Sequence, residues 1–93
     1  MSEDYEVTSP APGLYVVEFL HRGQVYALVT ADTIESASEH CQERSLYYFA
    51  GPEEDPAQSG VPWHAYPDEA AAEADPNREH ALARVRYFTV TAN

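Results

Sequence analysis

Two strand-length runs, LYVVEFL (14–20) and QVYALVT (24–30), are separated only by His21, Arg22 and Gly23, and this spacing constrains the fold more than any other feature of the chain. Both runs are rich in β-branched and aromatic residues, which suit a pleated, half-buried surface. Along the first, Tyr15, Val17 and Phe19 share one face, and Leu14, Val16, Glu18 and Leu20 share the other. Gly23 can adopt the left-handed conformation, so the expected connection is a three-residue hairpin with a glycine bulge.

The following segment, ADTIESASEHCQER (31–44), carries helix signals. Asp32 with Glu35 three residues later reads as a capping box. Ile34, Ala37 and Cys41 repeat at helical spacing on one side, while Glu35, Glu39 and Glu43 form an i, i+4, i+8 row on the other. SLYYFAG (45–51) reads as a strand, PDEAAAEAD (67–75) as a short helix opened by Pro67 and ended by Pro76, and ALARVRYFTV (81–90) as a last strand. In that strand Ala83, Val85, Tyr87 and Thr89 share one face, opposite Arg84 and Arg86. Between the third strand and the second helix lies a long loop, 51–66, with the sequence GPEEDPAQSGVPWHAY. Its first part reads as mobile and acidic, its end as packed. The expectation is a small single α+β domain in β-β-α-β-α-β order: a mostly antiparallel sheet of about four strands with one or two helices on one face, over residues 13–93, preceded by a flexible acidic tail at 1–12.

Charge narrows the function classes. The chain has 16 acidic residues against five cations, a formal net charge of −11 in 93 residues, and no lysine. Direct nucleic-acid binding needs clustered Lys and Arg, and anionic membranes are disfavoured for the same reason. A basic protein surface would be attracted. The same acidity equally suits general solubilisation in a halophilic or high-GC proteome. The first residues, MSEDYEVTSPAPG, lack the apolar stretch of a signal peptide, and the single cysteine fits a reducing compartment, so the expected location is cytoplasmic.

No catalytic constellation can be assembled. Cys41 shares the apolar side of its helix and reads as a core residue; His40, about 100° away around the helix, does not pair with it by adjacency. The four histidines, 21, 40, 64 and 80, lack metal-site spacing, and no Gly-rich phosphate loop occurs. Glu18, mid-strand among apolar residues, is expected to pair with Arg84 or Arg86 across the sheet or to face solvent. The reading is therefore not an enzyme, with no catalytic residue, metal or cofactor.

The candidate interface residues are Glu35, Glu39 and Glu43 on the helix, Glu53, Glu54 and Asp55 in the loop, and Trp63 and Tyr66 as aromatic anchors. Successive carboxylates in the helix row stand roughly 6 Å apart, comparable to phosphates along a nucleic-acid strand. In size, charge and lack of catalytic residues the chain resembles small phage-encoded inhibitors, including DNA-mimic and anti-CRISPR proteins. That resemblance covers overall properties and carries over no residue. It implies a non-catalytic domain that occupies the basic surface of a partner, such as a nucleic-acid-handling protein. The mechanism requires negative potential concentrated on one side of the body. The alternatives are a structural domain whose sheet edge or face, through Leu14, Val16 and Leu20, meets a second copy as a homodimer, and a small-ligand binder using His64, Tyr66 and the 61–67 loop.

Overall fold

A computed structural model describes residues 13–89. The expected tail at 1–12 lies outside the described residues. Five strands form one antiparallel sheet: β1 (Gly13–His21), β2 (Gln24–Ala31), β3 (Tyr48–Ala50), β4 (Trp63–Tyr66) and β5 (Ala83–Thr89), in the spatial order β2-β1-β5-β4-β3. Among the described residues three short helices, α1 (Ile34–Gln42), α2 (Pro56–Ser59) and α3 (Glu69–Glu73), fill the connections. The α+β expectation holds in outline, with one strand and one helical turn more than the sequence suggested.

The hairpin forms, but its turn is tighter than expected. His21 pairs directly with Gln24, leaving Arg22 and Gly23 as a two-residue loop with φ of 53° and 81°. Positive φ at both positions gives the mirror-image turn whose twist matches the flanking strands. The bulge sits instead inside the ladder: Phe19 faces Ala27 and Leu20 faces Val25, so Tyr26 is the extra residue.

Alternation then builds two cores. On the front face Tyr15, Val17, Phe19, Val85, Ala83 and Ala65 meet Ala37 and Cys41 of α1 and Leu46 beyond it. On the back face Leu20, Ala50 and Tyr66 meet Ala72 of α3 and Ala81. The helices therefore cover both faces, not one. Adjacent β4 residues Ala65 and Tyr66 point to opposite sides, so the short chain needs a lid on each. Because α3 covers only the β3–β4 end, the back face of β2 and the far end of β5 stay open, with Leu28 61% and Phe88 46% exposed.

Local chemistry sets each helix. Thr33, not Asp32, caps α1: its Oγ1 accepts from the Ser36 N–H at 3.1 Å. A cap at 33 makes Ser36 the third helical position, so no Asp32–Glu35 box forms. The C-terminal end closes with Ser45 at φ 64°, Leu46 N–H donating to Cys41 O and Ser45 N–H to Gln42 O, each within 3.0 Å. This is a Schellman closure, with Leu46 buried as its apolar anchor. The loop expected to be mobile through residue 60 contains α2. Asp55 caps it by accepting from the Ala57 N–H at 2.8 Å, Pro56 occupies the first turn, and Gly60 ends it at φ 73°. Pro56 is buried, so this segment is packed onto the domain.

Candidate functional site

The row Glu35, Glu39 and Glu43 is exposed along the outer side of α1, as its spacing predicts once Ile34, Ala37 and Cys41 turn inward. Among the described residues the imidazole beside it is His40, whose Nδ1 lies 3.7 Å from Glu43. Arg44 follows the helix but leaves the row: its guanidinium lies 4.1 Å from the centre of the Phe19 ring and NH1 donates to the Tyr26 hydroxyl at 3.1 Å. The bulge makes that contact available by displacing Tyr26 from strict alternation.

The loop acids join the same side. The Tyr15 hydroxyl is held above its usual pKa first by burial, then by the charge and hydrogen bond of Asp55, with Tyr87 and Glu35 adding. One phenol thus lies within electrostatic reach of both Asp55 and Glu35. Asp55 itself is committed to capping α2, while Glu53 and Glu54 are exposed beside it.

The two aromatic candidates are used inside the fold. Trp63 is half-buried against Phe49, ring centres 5.6 Å apart, and its indole N–H donates to Pro52 O at 2.9 Å and Glu54 O at 3.2 Å. It fastens the acidic loop to β4 rather than standing free as an anchor. Tyr66 is 1% exposed, so it has no surface to offer a partner. Its hydroxyl donates to Asp75 Oδ2 at 2.9 Å. Asp75 also accepts from the His80 N–H at 2.8 Å and the Glu79 N–H at 3.1 Å, which fixes the 75–80 segment. Burial raises the Asp75 carboxyl, but the bonds from His80, Tyr66 and Glu79 outweigh it and hold the group below its ordinary value.

Cations collect on the other side. Arg84 Nε donates to Glu18 Oε1 at 2.6 Å and Arg86 NH1 stands 3.8 Å from the same oxygen, which is the cross-sheet pairing expected of Glu18. Arg78 NH1 donates to Ala72 O at 3.2 Å and Asp75 O at 3.3 Å. Between the β1–β2 turn and the 77–80 segment lies a cleft of about 490 Å³, lined by Arg22, Arg78 and Arg84 together with Asn77, Glu79 and His80. His64, across from Arg84 on β4, is held below its ordinary pKa first by burial and then by Arg84 and Arg78, with Asp75 pulling the other way.

The acids themselves are less segregated than the one-sided picture required. Asp68, Glu69 and Glu73 are exposed around α3, on the back of the sheet. The asymmetry lies in the cations: all except Arg44 stand at the back or at the hairpin end. Sequence reading missed the cleft because Arg22 is far in the chain from Arg78 and Arg84 and meets them only when β5 pairs with β1. The available clue was how few cations there are to place.

Neither His64 nor Tyr66 lines the large cleft. Val61 and Pro62 line only a recess of about 90 Å³, too small for the ligand pockets of several hundred Å³ that a binder of the expected kind would need. Leu20 is covered by the α3 core, so of the residues expected to meet a second copy only Leu14 and Val16 remain accessible. Among the described residues no group of three or more His, Cys, Asp or Glu is placed to hold a metal, and no helix is long and apolar enough to cross a membrane. No family model, no curated protein and no solved structure matches the chain.

Proposed function

We propose that the protein is a non-catalytic binding domain that presents the α1 glutamate row, flanked by Glu53 and Glu54, to a basic surface of a partner protein. The observation that carries this reading is that the row is left without an arginine although Arg44 adjoins it: the guanidinium is drawn away to Phe19 and Tyr26. An unneutralised carboxylate row costs helix stability, and an arginine-lined groove would recover that cost on docking. The spacing of the row suits a surface built to receive phosphates, so a nucleic-acid-handling protein is the favoured partner class. Trp63 contributes by holding the loop acids in place.

The test compares two charge reversals by titration with an arginine-rich peptide, with and without a competing DNA oligonucleotide on a nucleic-acid-binding target. Reversing Glu35, Glu39 and Glu43 should abolish binding, and reversing Glu69 and Glu73 on the back should leave most of it. Equal losses from the triple and the double variant, or binding indifferent to added salt, would refute the reading.

A second reading draws on one specific observation, the open apolar back face at Leu14, Val25, Leu28 and Phe88. Exposed apolar residues set around the Glu18–Arg84–Arg86 cluster can serve as an interaction site, here between copies of the chain. Sedimentation across a concentration series distinguishes it, since a strict monomer removes it.

A further inference from the structure

We propose that the cleft between the β1–β2 turn and the 77–80 segment is an oxyanion site that takes the phosphate group of a small phosphorylated ligand. Three of the five cationic side chains in the whole chain line this one cleft. All are arginines, whose planar forks match phosphate oxygens. Each keeps donors to offer. Arg84 spends Nε on Glu18, and Arg78 spends NH1 on two carbonyls. Arg22 reaches the cleft from the exposed hairpin turn. Glu79 on the rim offsets one of the three charges and Glu18 draws on Arg84, so the net field is modest and local.

The backbone fixes the points from which two of these arginines extend. Arg22 and Arg78 sit at φ 53° and 61°, two of the three non-glycine residues with positive φ. That conformation costs an L-residue energy, and Asn or Gly would relieve it. Strain of this kind concentrates at ligand sites, where the surrounding structure holds it in place. Here the tight hairpin turn holds Arg22, and the Asp75 bonds to Glu79 and His80 hold the segment that carries Arg78. The volume of about 490 Å³ admits a ligand larger than phosphate itself. A phosphomonoester brings three acceptor oxygens and nearly two negative charges, which suits a cleft lined by three arginines better than one carboxylate does. A chain of net charge −11 repels anions at large, so retained phosphate reports a local site.

The experiment is an amide NMR titration of the full chain with inorganic phosphate, adenosine monophosphate and succinate in parallel. Saturable shifts at residues 20–23 and 77–84, with a Kd of about 1 mM or tighter, are expected for the phosphate probes. Tighter binding of the nucleotide identifies an organic phosphate, and equal binding identifies free phosphate; both uphold the site. Arg22→Asn keeps a residue suited to the turn, so its Tm should hold or rise while phosphate affinity falls about tenfold. Arg44→Gln, outside the cleft, should bind as the parent does. Absence of saturable shifts, succinate binding as tightly as phosphate, or undiminished affinity in Arg22→Asn would overturn the proposal.

Discussion

Replacing Glu39 by Lys should stabilise the fold and weaken the proposed binding at once. Glu39 stands between Glu35 and Glu43 on the exposed side of α1. Glu43, with φ −60° and ψ −22°, still has helical geometry, so both pairs have true i, i+4 spacing. Each like-charge pair costs about 0.2–0.5 kcal/mol, and a Glu–Lys pair returns a similar amount. Removing two repulsions and creating two attractions should therefore gain about 0.8–2 kcal/mol, with a small addition from a cation near the helix C-terminus. In a domain of this size each 1 kcal/mol raises Tm by about 4–8 °C.

Thermal melts at low salt and at 1 M NaCl form the assay, with Glu39→Gln as the intermediate that removes repulsion without adding attraction. The gain should be graded Gln then Lys, and should shrink in 1 M salt, where the screening length is about 3 Å. In the peptide titration the same Lys variant should bind more weakly than the parent. If Tm is unchanged, or the gain survives high salt, the three carboxylates are uncoupled surface groups. The premise that the row stores unfavourable charge for a partner to relieve then fails.

Two further outcomes follow from buried groups. The Cys41 thiol is pushed up to about 12 by burial, so at neutral pH it is a thiol without access. Ellman's reagent should label it only at the rate of unfolding, and rapid native labelling would contradict its place under α1. Asp75, whose folded pKa lies below its unfolded value, contributes stability that is present above about pH 4 and is lost as pH falls through the depressed folded value. Parent and Asp75→Asn melts should therefore differ at neutral pH and converge in acid; a constant gap would mean the carboxylate charge is not what the His80, Glu79 and Tyr66 bonds stabilise.

How far the sequence revealed the fold depended on whether its signal was periodic or geometric. Strands β1 and β5 were legible with correct faces, because Tyr15, Val17, Phe19 and Ala83, Val85, Tyr87 alternate over enough residues to define a core side. Alternation also foretold the Glu18 pairing with Arg84 and Arg86. Strand β4 was not legible. WHAY is four residues long and embedded among prolines and glycines, and it becomes a strand only by pairing with β3 on one side and β5 on the other. The same pairing turns Tyr66 inward, which is why an aromatic that looked like a loop anchor is the most deeply buried large side chain at the back. Helix α2 depended on Asp55 acting as a cap, and within GPEEDPAQSG that role could not be told from an acidic coat. The hairpin was placed correctly, but its turn was read one residue too long. Gly23 suits both versions, and the displaced bulge at Tyr26 leaves no mark in composition.

The placement of the cations bears on the proposed function more than the number of acids does. A general acidic coat would scatter its few arginines wherever they best neutralise neighbouring carboxylates. Here Arg84 and Arg86 share one carboxylate, Arg78 serves backbone carbonyls, and Arg44 lies over an aromatic ring. The exposed glutamates of α1 receive none of them. Relieving the row internally would take only an arginine or lysine at position 38, 39 or 42, on an exposed or half-buried helix side that tolerates either. The chain has serine, glutamate and glutamine there. On energetic grounds alone those choices are poor. They become favourable if a cationic surface completes the row, and that is the difference the Glu39→Lys comparison measures.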